Sequence, residues 1–100
     1  MSLKIEKNFT NRKLTIIISG RLDTITAPKL ENELMKDSLN FDSLVIDMKN
    51  LAYISSAGLR VILKLHKELV KKSGLKLINV KDEVREVFEI TGFVDFLNIE

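Results

Sequence analysis

Tyr53-Ile54-Ser55-Ser56-Ala57-Gly58-Leu59 joins the end of an apolar, strand-like run to the start of an amphipathic helical pattern, and leaves two adjacent hydroxyls at the junction. Upstream, Leu51 to Ile54 reads as the close of a strand. Downstream, Leu59, Ile62, Leu63, Leu65, Leu69 and Val70 recur at three- and four-residue steps, which predicts a helix from Ala57 to Lys72. With Val61 added, the apolar arc takes in about half the circumference, so this helix is expected to be covered on more than one side. At such a strand-to-helix joint the first N–H groups of the helix lack partners and the helix dipole favours negative charge. A phosphate on Ser55 or Ser56 would therefore meet ready donors.

Working outward, Leu44-Val45-Ile46 is a short continuous apolar run, the pattern of a strand covered on both faces, and Asp47 is expected to close it. Nearer the N-terminus, Leu3, Ile5 and Phe9 alternate with polar residues as a half-buried strand. Thr10-Asn11-Arg12-Lys13 then turns into a second strand, Leu14 to Ser19, completing an N-terminal hairpin. Gly20-Arg21-Leu22-Asp23 ends that strand. Thr26 is the expected N-cap of a helix that carries Pro28 in its first turn and runs to about Lys36, with Leu30 and Leu34 inward. On the C-terminal side, Ser73-Gly74 stops the central helix, and Leu75, Leu77 and Ile78 form a strand. Asp82 is expected to cap a third helix with Val84, Val87 and Phe88 buried. Gly92 ends it, and Phe93 to Ile99 is a last apolar segment, a candidate strand.

Strands alternating with helices at this spacing predict an α/β fold with right-handed crossovers. The expected architecture is one domain over residues 1–100, with a mixed, mostly parallel sheet of four to five strands, an N-terminal hairpin and three main helices. Function in such sheets gathers at the carboxyl ends of the strands. Asp23 and the Ser55-Ser56 pair both fall at such ends, so they are expected to approach one another.

Composition narrows the field. Sixteen Lys and Arg against 14 Asp and Glu leave a net charge of +2, without a basic stripe, which argues against nucleic acid as the ligand. Lys64, Lys67, Lys71 and Lys72 read as a solvated helix face. Cysteine is absent, so thiolate metal sites and cysteine nucleophiles are excluded, and a lone histidine, His66, cannot build a multi-histidine metal site. No apolar run is long enough to span a membrane, and charges among the first residues do not fit a signal peptide. The expected location is the cytoplasm.

Two catalytic readings fail on spacing. The nucleophile elbow G-x-S-x-G needs glycine where Ile54 stands, and His66 lies on the helix that follows Ser56, where it cannot serve as a positioned base. Neither G-x-x-x-x-G-K-[ST] nor G-x-G-x-x-G is present to cradle a nucleotide. Helix capping alone would also account for a hydroxyl ahead of Gly58, and is compatible with phosphorylation. Asp23 and Asp47 likewise read as turn or strand-end residues when taken alone.

Four stretches in order resemble a STAS domain of the anti-sigma factor antagonist family: Gly20-Arg21-Leu22-Asp23 followed by Ala27-Pro28 and Leu30, the strand Leu44 to Asp47, the Tyr53 to Leu59 signature, and the Val84 to Gly92 helix with Phe93. The resemblance covers nearly the whole chain. It implies a small non-enzymatic protein without cofactor or metal, whose unphosphorylated form binds an anti-sigma factor with serine kinase activity and so frees a sigma factor. Phosphorylation of one serine breaks that complex, and a PP2C-type phosphatase restores it. The resemblance places the phosphoacceptor at Ser56, with Ser55 as the alternative acceptor, and the partner-binding surface at Asp23, Thr24, Ser55, Ser56, Ala57 and Gly58. It implies no contact with nucleic acid or membrane. Antagonists often carry Asp just before the phosphoserine, where this chain has Ser55, and the C-terminal helix of many relatives is expected to be missing or very short. The other readings are a STAS scaffold or a nucleotide- or protein-binding subunit of a stress-signalling or transport assembly, and a small hydrolase using Ser56.

Overall fold

A computed structural model describes residues 3–37, 40–95 and 97–100. The chain opens with the expected hairpin. Strands β1 (Leu3–Thr10) and β2 (Lys13–Leu22) pair antiparallel, with Thr10 opposite Lys13 and Asn11 taking the left-handed φ of 58° that asparagine tolerates in a turn. Helix α1 (Ala27–Lys36), β3 (Ser43–Ile54), α2 (Ser56–Leu69), β4 (Gly74–Ile78), α3 (Asp82–Ile90), a 3-10 turn (Phe93–Asp95) and β5 (Asn98–Ile99) follow. The five strands lie in the order β1-β2-β3-β4-β5, and all pairs after the first are parallel.

Each parallel crossover steps the same way along the sheet, so right-handed connections set all three helices on one face. Side chains agree. Lys7, opposite Ile16, reaches Asp37, the C-cap of α1, at 2.7 Å, and Lys64 of α2 pairs with Glu31 of α1. Between sheet and helices, Leu14, Ile16, Ile18, Leu44, Ile46 and Met48 meet Leu30, Leu34, Ile62, Leu65, Val84 and Phe88 in one core. The inward placement of Leu30 and Leu34 is as expected.

Several local expectations need correction. Asp47 does not close a strand: β3 continues unbroken to Ile54, and Asp47 sits inside it at 7% exposure. Its Oδ1 accepts the Lys49 N–H at 3.0 Å and the Asn79 side-chain amide at 3.1 Å, which satisfies the carboxylate where the pairing with β4 ends. Helix α2 stops at Leu69 rather than Lys72, leaving Val70 63% exposed outside the apolar arc, and Gly74 (φ +97°) begins β4. Phe9 is exposed, near the turn end of the edge strand β1.

Caps also differ. Thr26 occupies the N-cap position of α1 but makes no side-chain cap bond, and Lys81, not Asp82, holds that position in α3. Asp82 and Glu83 lie instead in the first turn of α3, where carboxylates favour the dipole. The last apolar segment divides into the 3-10 turn and the two-residue β5, and Phe96 within it lies outside the described residues.

Candidate phosphoacceptor and partner-binding site

Strands β2 and β3 end side by side, with Leu22 paired to Ile54. The Ser55 N–H donates to the Leu22 carbonyl at 2.9 Å, so the loop that starts at Asp23 and the N-terminus of α2 are joined at their roots. The expected approach of Asp23 to the serine pair follows from this register.

The two serines occupy different positions. Ser55 is extended (φ −102°, ψ 175°) and caps α2: its carbonyl accepts the Leu59 N–H at 2.9 Å and its hydroxyl accepts the Gly58 N–H at 3.4 Å. Ser56 is the first helical residue and is exposed, and among the described residues its hydroxyl has no hydrogen-bond partner. Of the other predicted contact residues, Thr24 is exposed and Ala57 is half-buried. Gly58 is buried, and a Cβ there would fall 3.0 Å or less from Leu22 and Ile54 atoms, so its smallness serves internal packing.

Asp23 organises its loop. Its Oδ1 accepts the N–H groups of Ile25 and Thr26, both at 3.0 Å, while its own N–H donates to the Thr26 hydroxyl at 2.9 Å. That hydroxyl donates in turn to the Arg21 carbonyl at 2.7 Å, which explains why Thr26 does not cap α1 with its side chain. The Thr26 N–H foremost, with the Ile25 N–H, the Thr26 hydroxyl and the Arg21 charge, holds the Asp23 carboxyl below the usual carboxylate range, against an opposing effect of desolvation. Arg21 Nε lies 3.7 Å from Asp23 Oδ2, and its guanidinium stacks 4.1 Å above the Tyr53 ring.

Two features escaped the sequence reading. A shallow groove of about 260 Å³ runs beside Ser56, lined by Leu59, Arg60, Leu63, Thr91 and Phe93. Ile25 and Ile90 are exposed large apolar side chains, at 84% and 78%. The i to i+4 spacing of Ser56 and Arg60 was a usable signal for their shared surface, whereas the approach of Thr91 and Phe93 depends on tertiary packing. A larger hollow of about 360 Å³, lined by Lys13, His66, Ser73 and Lys76 among others, opens at the opposite end of the sheet. Among the described residues no group of His, Asp and Glu could hold a metal ion, and no helix is long and apolar enough to cross a membrane.

The family described as STAS domain matches residues 4–100. The chain belongs to that family. This STAS domain is 36% identical over 99 residues to BtrV of Bordetella bronchiseptica, provisionally named an anti-sigma factor antagonist, with 97% of this chain and 85% of BtrV covered. It is 29% identical over 100 residues to the anti-sigma-B factor antagonist of Bacillus subtilis, covering 99% of this chain and 92% of that protein. The fold of the STAS domain is also that of SpoIIAA of Bacillus, an anti-sigma factor antagonist solved without and with phosphate. The unphosphorylated form gives a TM-score of 0.83 at 19% identity over 97% of this chain and 88% of that one. The phosphorylated form gives 0.76 at 18% identity, over 97% and 91%.

Proposed function

We propose that residues 1–100 form one STAS domain that acts in the cytoplasm as an anti-sigma factor antagonist. Its unphosphorylated form binds an anti-sigma factor with serine kinase activity, and phosphorylation of Ser56 ends the complex. A PP2C-type phosphatase removes the phosphate. The observation that carries this reading is the division of roles between neighbouring hydroxyls: Ser55 is engaged in capping α2, while Ser56 stands exposed and unbonded at the head of the same helix. The antagonist names of BtrV and the Bacillus subtilis relative support the partner class.

The mechanism is electrostatic. In the kinase step the Ser56 Oγ–phosphorus bond forms as the bond to the leaving ADP of ATP breaks, and the hydroxyl proton passes to solvent or to a base of the kinase. The new group carries about −1.5 to −2 charges, which the open first turn of α2 tolerates, so the fold survives. Against a partner surface shaped for a neutral hydroxyl, the same charge is buried without a counter-ion and costs a few kcal/mol. Each ~1.4 kcal/mol is tenfold in affinity, so about 3 kcal/mol suffices for a 100-fold switch.

The test is phosphorylation with candidate serine kinases from the same cell, followed by site mapping and a binding titration. Ser56→Ala is expected to bind the partner and resist release, and Ser56→Asp to bind weakly. Phosphate mapped to Ser55 alone would sink the assignment of Ser56.

A further inference from the structure

Arg60 lies one helical turn beyond Ser56 on α2, and the two residues line the same groove. Cβ atoms at this spacing sit roughly 5–6 Å apart on one helix face, within reach of a long side chain. Arg60 is exposed, and among the described residues it takes part in no ion pair or hydrogen bond. That sets it apart from Arg12, paired with Asp42, and from Arg21, committed to Asp23 and Tyr53. The domain thus holds an uncommitted guanidinium one turn below an uncommitted hydroxyl.

We propose that Arg60 is the counter-charge of the phosphorylated state, drawing the phosphoryl group of Ser56 down against the groove between α2 and the Thr91–Phe93 segment. The proposal rests on the assignment of Ser56 made above. A planar guanidinium suits the role, because its fork of N–H donors matches two phosphate oxygens at once, and arginine remains charged at every pH at which the phosphate titrates. The Ser56 and Ala57 N–H groups, which the Ser55 cap leaves open, receive the phosphate from the axial side and Arg60 from the helix flank, so the modified domain satisfies its new charge without a partner. The phosphoryl group then lies over a groove walled by Leu59, Leu63 and Phe93, which is open in the unmodified domain. Arg60 is in this sense a positioning residue of the switch. It neither accepts the phosphate covalently nor takes part in its transfer.

The experiment uses the full chain with phosphoserine inserted at position 56 during translation, so that no cognate kinase is required. Phosphorus NMR follows the second ionisation of the phosphate, ordinarily near pH 6, in the Arg60 protein and in Arg60→Gln and Arg60→Lys variants. The expected result is a midpoint about half a unit lower with Arg60 than with Arg60→Gln, much of which Arg60→Lys retains. Any contribution of the helix terminus is common to all three proteins and cancels. Circular dichroism checks that each variant is folded, and Arg60→Lys keeps the test open should Arg60→Gln be poorly behaved. Equal midpoints in the three proteins would overturn the proposal. A separate assay of the unmodified protein with kinases tests the choice of Ser56, so a failure there is distinguishable from a failure of Arg60.

Discussion

Gly58 brings α2 so close to the end of β2 that a Cβ on it would lie 2.8 Å from Leu22 Cγ and 2.9 Å from the Leu22 carbonyl oxygen. That carbonyl also accepts the Ser55 N–H, so it has little freedom to retreat. Bulk at Gly58, a residue of the proposed partner surface, would meet the domain's own core before it met a partner. The obstruction is internal. Gly58→Ala should therefore destabilise the domain by about 1–3 kcal/mol, even though alanine is intrinsically the better helix former by ~1 kcal/mol. Denaturant melts give the answer, and an unchanged midpoint would show that Leu22 yields.

Leu59, the next residue, is buried at 5% exposure and also forms one wall of the groove beside Ser56. Leu59→Ala should cost about 2–4 kcal/mol of stability. Because the side chain faces the core, partner binding at temperatures well below the melt should fall only with the folded fraction. Binding lost by a fully folded Leu59→Ala protein would show that the partner reaches the groove wall itself.

Alanine at the two serines should separate capping from signalling. Ser55→Ala removes the hydroxyl that accepts the Gly58 N–H, and should cost about 0.5–1 kcal/mol, the lower part of the usual range, because the 3.4 Å bond is long. Ser56→Ala removes no bond described in the structure and should leave the melting temperature nearly unchanged, while abolishing phosphate incorporation. The reverse pattern in paired thermal melts and phosphorylation assays would exchange the two roles.

The low pKa of Asp23 gives its loop a pH dependence. The carboxylate is stabilised in the fold, foremost by the Thr26 N–H, so its contribution is fully present above the usual carboxylate range and is lost as pH falls through the lowered folded value. Asp23→Asn keeps an acceptor oxygen but no charge. Its stability deficit relative to the parent should therefore be largest near neutrality and shrink in acid. Asp23→Ala, which strands the Ile25 and Thr26 N–H groups, should impair partner binding or phosphorylation while the domain stays folded. A variant that loses structure and binding together would reduce Asp23 to a turn residue. Urea titrations across the acid range, beside binding measurements, separate these outcomes.

What the sequence disclosed depended on how local the governing contact was. Leu30, Leu34, Leu59, Ile62, Leu65 and Leu69 obey helical spacing set within single elements and are buried as that spacing predicts, while Leu63 of the same repeat is only half-buried and lines the groove beside Ser56. Asp47 misled because a carboxylate inside a strand looks like a strand end. The local Lys49 N–H is joined there by the side-chain amide of Asn79, from beyond the end of β4, a partner that only the tertiary fold supplies. Val70 fits the helical repeat by number, yet the helix has already ended. At the candidate site, Asp23 and the two serines were legible through the rule that loops gather at strand ends. Which serine caps was not, since either hydroxyl satisfied the local pattern.

Ser56 is held on a helical turn whose next link is the bond from the Leu59 N–H to the Ser55 carbonyl. An enzyme that threads its substrate as an extended strand would have to unwind this turn and pull Leu59 out of the core before reaching the hydroxyl. On the proposed assignment of Ser56, its kinase is expected to recognise a folded surface, with the Asp23 loop and the helix end presented together. A short peptide copied from residues 51–62 offers the same hydroxyl without that surface and is expected to be a poor substrate for such a kinase, so on this reading partially unfolded copies of the domain escape the proposed switch.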